Sequence, residues 1–320
     1  MKLCRVICIF LPLLAAVCLA GVCFGSASLS GLPAGDETAR IILLQLRLPR
    51  VAAGVLAGVG LSTAGVLLQT VTGNDLAGPN IIGVNSGAGL AVILLLTFGA
   101  GAGKLLPLGA FFGAFAAALL ILAAAGRLGS SRTGIVLIGI AVTTIFNAAI
   151  SFLSLLDEGV LAQYNHFTLG SLKGVRAEEL ILPGILICAA FLGSFAIGHR
   201  LGVLSLGDAA AAALGIRVKA LRLTALALAA ACAAAVVSFA GLLGFVGLMV
   251  PHMGRALVGP RPRKLLFVSA LVGGVLVVLA DLLGRVLAAP SELPVGILLS
   301  LVGGPYFLIL LVRRKRHAGI

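Results

Sequence analysis

Long apolar runs follow one another along almost the whole chain, and they limit its possible folds more than any single motif does. Nine such runs lie near residues 6–25, 51–71, 80–98, 105–126, 134–156, 180–198, 223–250, 265–288 and 295–312. Hydrophobic residues make up 61% of the 320 residues and charged residues 10%, so there is too little polar surface to cover a water-soluble domain. We therefore predict an all-α membrane protein in which residues 1–320 form a single transmembrane domain.

Glycines are unusually frequent, with 43 in the chain, and several recur at the GxxxG spacing that lets membrane helices approach closely. The spaced pairs are Gly54/Gly58, Gly83/Gly87 and Gly109/Gly113. Because close packing replaces the missing hydrophobic drive inside a bilayer, these pairs predict a tightly packed helical bundle.

The run at 223–250 decides the expected number of spans. It is longer than the roughly 20 residues that one span needs, but shorter than two full spans. Basic residues flank it at 217–222 and at 255–264, so the positive-inside rule has it leave and re-enter the membrane on the cytoplasmic side. A full helix, a bend at the glycines within 241–247 and a short helix fit this length. We expect a polytopic bundle of ten transmembrane helices, one of them short, with both basic termini in the cytoplasm.

Several function classes are excluded by motifs that the sequence lacks. The net charge of +13 is explained by Lys and Arg in cytoplasmic loops, so no nucleic-acid partner is expected. The segment AGAGKLL at 100–106 fails as a phosphate-binding P-loop, because Phe98 stands at the first glycine position and Leu105 at the Ser/Thr position. No Ser/His/Asp set, HExxH motif or paired carboxylate site occurs, and the six cysteines lack metal-ligand spacing with histidine. The chain is predicted to be no enzyme and to hold no metal or cofactor.

The segment 199–222, HRLGVLSLGDAAAAALGIRVKALR, is a polar and basic insert between two apolar runs. We call it the charged insert. An alanine run within it has the pattern of a short amphipathic helix. A structured charged insert is not needed merely to join two spans, so it indicates a surface to which a soluble partner binds.

Four segments carry a resemblance to a known family. They are residues 46–92 with LRLPR and GNDLAGP, LSLGDAAAAALGIRV at 204–218, FAGLLGFVGLMVPHMGR at 239–255, and residues 280–311 with ADLLGR and SELPVGILLSLVGGP. In their order and spacing these segments closely resemble the FecCD permease family, the membrane subunits of ABC importers for iron–siderophore complexes, haem and cobalamin. The resemblance extends from about residue 46 to the C-terminus.

The resemblance implies a type II ABC importer permease fold of ten spans in the bacterial inner membrane. It also implies a second permease copy in a homodimer, two cytoplasmic ATPase subunits that use ATP and Mg²⁺, and a periplasmic or lipid-anchored substrate-binding protein. A chelate such as an iron–siderophore, haem or cobalamin would pass by alternating access. The alternative is a secondary transporter driven by an ion gradient, for which Asp281 is the acidic residue deep within an apolar run.

Three arginines, Arg47, Arg50 and Arg285, match family positions that receive carboxylates from the two lobes of the binding protein at the outer mouth. Exposed cations steer an acidic partner and set its orientation. Two other interpretations stay open. Arg47 and Arg50 could anchor a helix at the lipid interface, and Arg285 could pair with Asp281 four residues earlier on the same helix.

The charged insert resembles the family's coupling helices, which sit in a groove of the ATPase. The matching positions are Leu206, Gly207, Asp208, Leu214, Gly215 and Ile216. Asp208 is predicted to cap a helix through the alanine run, and Gly215 to end that helix. The alternative is an interfacial helix that lies on lipid headgroups.

Two polar turns match the family's inner gate and are predicted to narrow the pore on the cytoplasmic side. The residues that match are Asn74, Leu76, Ser130 and Ser131. Ordinary turn chemistry favours the same residue types, so the gate role depends on the resemblance. The histidine of VPHMGR, His252, is predicted to be structural.

Overall fold

A computed structural model describes residues 2–25, 37–99, 105–128 and 132–317, and within these ranges the regular elements are all helices. In chain order they are α1 (Lys2–Cys23), α2 (Glu37–Ile41), α3 (Leu48–Thr72), α4 (Val84–Phe98), α5 (Leu106–Leu128), α6 (Arg132–Ser154), α7 (Glu158–Leu169), α8 (Ala177–Leu204), α9 (Asp208–Ala213), α10 (Val218–Ala240), α11 (Val246–Val258), α12 (Pro262–Leu287) and α13 (Val295–His317). A π-helical turn, Ile42–Arg47, leads into α3, and a 3₁₀ turn, Pro79–Ile82, precedes α4. The candidate gate serines Ser130 and Ser131, and most of the excluded P-loop segment, lie outside the described residues.

Seven helices in the described part of the chain are long and apolar enough to cross a membrane, and three shorter apolar helices accompany them. The predicted division of the run at 223–250 is confirmed, because α10 ends at Ala240 and the short helix α11 begins at Val246. The backbone turns at Gly241, whose φ of +67° lies in the left-handed region that glycine adopts readily. The protein is therefore an all-helical, multi-pass membrane protein over its described residues.

The centre of the bundle is α3, which packs against α8, α10, α11 and α12 and buries most of its side chains. Gly58 on α3 lies so close to the backbone of Gly273 on α12 that a Cβ at either position would overlap main-chain atoms. Gly87 on α4 and Gly113 on α5 meet in the same way. The GxxxG positions Gly58, Gly87 and Gly113 therefore lie in helix contacts, as the sequence predicted.

The outer helices keep broad apolar surfaces. In the 18-residue apolar stretch of α1, only 17% of the residues are buried, and the share in the corresponding stretch of α6 is the same. Large exposed side chains on α6 include Leu137, Ile140, Ile145 and Phe152. A surface of this kind needs either lipid or another protein to cover it.

Two groups of predicted site residues lie at opposite ends of α3, whose 25 residues span about 37 Å. Arg47 and Arg50 lie at its beginning, and the turn at 73–79 follows its end. The charged insert lies at the end of the bundle where this turn lies. It is tied to the end of α5 there by the hydrogen bond from Lys219 Nζ to the carbonyl oxygen of Gly126 (2.7 Å).

Candidate functional site

The three arginines predicted to dock a partner lie together at one end of the bundle, where they are buried rather than exposed. Arg47 is 5% exposed, Arg50 8% and Arg285 2%. With Asp281 and Glu292 they form the arginine cluster. The expectation of exposed cations was therefore wrong, because each guanidinium contacts an acidic side chain or the carbonyl oxygens of a helix end. A docking role for these arginines remains a prediction.

Asp281 is the central acid of the arginine cluster, with a side chain that is 3% exposed. Its carboxylate accepts hydrogen bonds from Arg50 Nε (3.0 Å to each oxygen) and Nη2 (2.8 Å). Arg285 Nε lies 3.1 Å from Asp281 Oδ2, so the pairing of Arg285 with Asp281 that the spacing allowed is confirmed. A carboxylate between two guanidinium groups compensates charges that would be costly to bury alone.

Two arginines of the cluster also bind the C-terminal end of α1. Arg47 Nη1 donates to the carbonyl oxygens of Val22 (3.0 Å) and Cys23 (2.6 Å), and Arg285 Nη1 donates to that of Gly21 (3.0 Å). The last carbonyl groups of a helix have no partner within the helix and carry partial negative charge. Arg47 and Arg285 therefore cap α1 and connect it to α3 and α12.

A cavity of about 240 Å³ opens beside the arginine cluster, and Arg47, Arg50, Lys173, Arg285 and Glu292 contribute to its lining. Arg50 Nη1 donates to Glu292 Oε2 at 2.8 Å, and the Glu292 side chain is 13% exposed. The buried Nη2 of Arg285 has no hydrogen-bond acceptor among the described residues. Four basic residues and one acid therefore line the cavity, and the rest of its lining is apolar or glycine.

The charged insert contains one short helix, α9, flanked by tight turns. The helix begins at Asp208 itself with Gly207 at the N-cap position, so the prediction of Asp208 as the cap residue was wrong by one position. Gly215 has φ +78° and donates to the carbonyl oxygen of Ala212, while the N–H of Ile216 donates to that of Ala211. This pair of bonds is the Schellman motif, and it confirms Gly215 as the end of the helix.

Asp208 has a different partner, which spacing alone did not indicate. Both of its carboxylate oxygens lie 2.9 Å from Arg222 Nη2, near the start of α10. Arg222 is 2% exposed, whereas the Asp208 side chain is 48% exposed. The sequence marked Arg222 only as one of several flanking cations, because its burial depends on how α10 packs.

Two leucines of the charged insert stand out into solvent on either side of α9. Leu206 is 71% exposed and Leu214 is 66% exposed. Each lies beside a glycine of positive φ, Gly207 or Gly215, which turns the chain sharply at that point. The insert thus presents a compact helix with an apolar residue at each end.

The turn after α3, residues 73–79, is held by local hydrogen bonds. Asn74 Oδ1 accepts from the N–H of Leu76 (2.9 Å), and the N–H of Asn74 donates to Thr72 Oγ1 (3.3 Å). Asn74 is exposed and Leu76 is partly buried. These contacts are ordinary turn chemistry, and the gate role of Asn74 and Leu76 remains a prediction.

A contact that the sequence did not reveal ties this turn to α11. Arg255 Nη2 lies 3.3 Å from Asp75 Oδ1 and also donates to Gln69 Oε1. Gln69 Nε2 in turn donates to the carbonyl oxygen of Leu248 at 3.2 Å. Arg255 had entered the sequence interpretation only as a cytoplasmic charge, but it joins α3, its following turn and α11.

His252 packs against an aromatic ring. Its ring meets that of Tyr306 edge-on, with 6.2 Å between the ring centroids. Among the described residues, no group of three or more His, Cys, Asp or Glu side chains is placed to hold a metal ion. The contact with Tyr306 agrees with the structural role predicted for His252.

Comparison with known proteins gives matches over nearly the whole chain. The model of the FecCD transport family matches residues 7–313. The iron(3+)-hydroxamate import permease FhuG of Bacillus subtilis is 39% identical over 292 residues, which cover 87% of this chain and 86% of that protein. The cobalamin import permease BtuC of Halobacterium salinarum is 39% identical over 285 residues, 88% of this chain and 76% of that protein. A solved inward-facing structure of a metal-chelate type ABC transporter matches with a TM-score of 0.87 at 30% identity, covering 97% of this chain and 99% of that one.

Proposed function

Because the chain belongs to the FecCD transport family, we propose that it is the membrane-spanning permease subunit of an ABC importer that passes a metal chelate into the cell. The observation that carries the proposal is the match over 97% of the chain to a metal-chelate type ABC transporter. The relatives named for hydroxamate and cobalamin import support an iron–siderophore or cobalamin-like cargo.

The proposed topology has ten spans with both termini in the cytoplasm of a bacterial cell membrane. The seven long apolar helices and the three shorter ones support this arrangement. The positive-inside rule then assigns the charged insert to the cytoplasm, and the arginine cluster, at the other end of α3, to the outer side. A second copy of the chain would cover part of the exposed apolar surface and complete a homodimeric pore.

The charged insert is the proposed contact site for the ATPase subunits. Its exposed Leu206 and Leu214 offer apolar contacts to a groove, and the Asp208–Arg222 ion pair connects α9 to α10. A movement imposed on α9 would therefore be passed to a helix that packs against α3, α5 and α8. This connection supports coupling more than it supports a helix that merely rests on lipid headgroups.

The cavity beside the arginine cluster is the proposed docking point for a substrate-binding protein. A carboxylate of that partner would enter the cavity and meet the guanidinium groups of Arg47, Arg50 and Arg285. Asp281, which a secondary transporter would need for ion coupling, is already paired with Arg50 and Arg285. This pairing favours the ATP-driven proposal over the ion-driven one.

The test is reconstitution of the chain in liposomes with its ATPase and with the binding protein loaded with a labelled chelate. Uptake should require ATP on the side of the membrane where the ATPase subunits lie. It should continue when an ionophore collapses the ion gradients. An ATPase variant that cannot hydrolyse ATP is the matched control. Uptake without ATP, abolished by the ionophore, would instead establish a secondary transporter.

A further inference from the structure

Each of the three guanidinium nitrogens of Arg50 already has a carboxylate partner. Nε and Nη2 bind Asp281, and Nη1 binds Glu292 at 2.8 Å. A carboxylate from outside would bind a guanidinium most strongly through two parallel hydrogen bonds along one edge. The edge formed by Nε and Nη2 is taken by Asp281, and the Nη1 end of the other edge is taken by Glu292.

The two acids that hold Arg50 are not equally able to leave. Asp281 lies within α12, is 3% exposed and is shared by Arg50 and Arg285. Glu292 lies in the segment between α12 and α13, and its side chain is 13% exposed. Glu292 binds Arg50 through Nη1 and lies on a loop at the cavity, whereas moving Asp281 would leave two guanidinium groups buried without their shared partner.

The space for an incoming carboxylate lies on the Glu292 side. Glu292 and Arg50 both line the 240 Å³ cavity, together with Arg47, Lys173 and Arg285. Lys173, which is exposed, adds another cation to the same cavity. A carboxylate that enters the cavity would therefore meet Lys173 as well as Arg50.

We propose that Glu292 is an internal substitute for the partner's carboxylate, and that docking exchanges one carboxylate for the other on Arg50. The proposal rests on the proposed docking role of the arginine cluster and deepens it. Before docking, Glu292 keeps the buried Arg50 charge fully paired. During docking the partner's acid displaces it, so part of the binding free energy is used in breaking the Arg50–Glu292 bond. The exchange therefore weakens docking and speeds the release of the emptied binding protein.

The test measures the Kd and the dissociation rate of the chelate-loaded binding protein on the assembled transporter in lipid nanodiscs. Glu292→Gln keeps the size and an acceptor oxygen but removes the competing charge. We expect Kd to fall about fivefold, the scale of one partly exposed ion pair, mainly through slower dissociation. Glu292→Ala, which removes the carboxylate without a polar replacement, should tighten docking in the same direction.

Two matched variants make the result specific. Glu178→Gln removes an exposed acid at the start of α8, outside the arginine cluster, and should leave Kd unchanged. Asp281→Asn should instead raise Kd, because Asp281 holds both Arg50 and Arg285 in place and its loss would disorder the guanidinium groups that receive the partner. An unchanged or higher Kd in both Glu292 variants overturns the exchange.

Arg47→Glu distinguishes a failure of the carboxylate exchange at Glu292 from a failure of the proposed docking site. If it weakens docking while the Glu292 variants have no effect, the exchange alone is wrong. If neither Arg47→Glu nor the Glu292 variants change Kd, the docking site lies elsewhere. ATP-dependent uptake by the same preparations shows whether the permease proposal stands regardless of either result.

Discussion

The guanidinium of Arg222 lies 2.9 Å from the carboxylate of Asp208, and this pair joins the short helix α9 to α10. Arg222 is 2% exposed, so its charge is taken out of solvent where α10 packs into the bundle. Asp208 remains half exposed at the surface of the charged insert. The pair thus connects a surface helix, proposed to meet the ATPase, with the interior of the bundle.

Replacing Asp208 with Asn should loosen this connection. The loss of a charge-assisted hydrogen bond costs about 1.5–3 kcal/mol, and here it would destabilise α9 locally rather than the whole bundle. We expect faster hydrogen–deuterium exchange in residues 205–217 and less chelate imported per ATP hydrolysed. Arg217→Gln, which removes an exposed charge from the same insert, is the control. Equal exchange in wild type and Asp208→Asn would contradict the role of the pair.

Replacing Gly215 with Ala should disturb the end of α9. The left-handed conformation costs an L-residue with a Cβ about 1–2 kcal/mol, and Gly215 has φ +78°. We expect weaker assembly with the ATPase subunits in pull-down and size-exclusion measurements. Gly126→Ala, at a helical position with open space around a new Cβ, should assemble normally. Normal assembly of Gly215→Ala would show that the Schellman turn is dispensable.

Replacing Gly58 with Ala should act on the whole bundle instead. A Cβ at this position would overlap the backbone of Gly273, so α3 and α12 would have to separate. Overpacking of this kind typically costs about 1–3 kcal/mol. We expect a lower midpoint of thermal unfolding in detergent. Gly304→Ala on α13, where a Cβ meets nothing, should leave the midpoint unchanged, and an equal midpoint for both variants would refute the close contact.

Replacing Asp75 with Asn should free the turn after α3 from α11. The Arg255–Asp75 ion pair is lost, while the hydrogen bonds around Asn74 remain. We expect increased deuterium uptake confined to residues 73–78. Asp157→Asn is an informative control, because Asp157 caps α7 by accepting from the N–H groups of Gly159 and Val160 and its loss should act there instead. If residues 73–78 take up deuterium as slowly in Asp75→Asn as in the wild type, the Arg255–Asp75 ion pair does not stabilise the turn.

Much of the fold was predictable because the bilayer imposes it on each segment separately. Apolar length predicted the helices, and the glycine-containing stretch at 241–247 predicted the break between α10 and α11. Gly58, Gly87 and Gly113 were predicted as contact positions for the same reason, since only small residues allow the close approach of helices in lipid. The terminal glycine of α9, Gly215, was predicted from local backbone chemistry.

The surroundings of the candidate sites were not predictable in this way. Arg47 and Arg50 were expected to be exposed, but they are buried against α1 and α12, and Asp208 contacts Arg222 rather than occupying the cap position. Arg255 shows the same limit, since its contacts with Gln69 and Asp75 join three separate elements.

Sequence alone determined that the described chain is helical, roughly where its apolar helices lie, and which polar segments interrupt them. Those properties depend on residues close together in the chain, through helix periodicity, apolar length and backbone conformation. Tertiary structure decided which charges are buried and paired. Arg50 and Glu292 are 242 residues apart in the chain and meet only because α3, α12 and the segment after α12 pack at one end of the bundle.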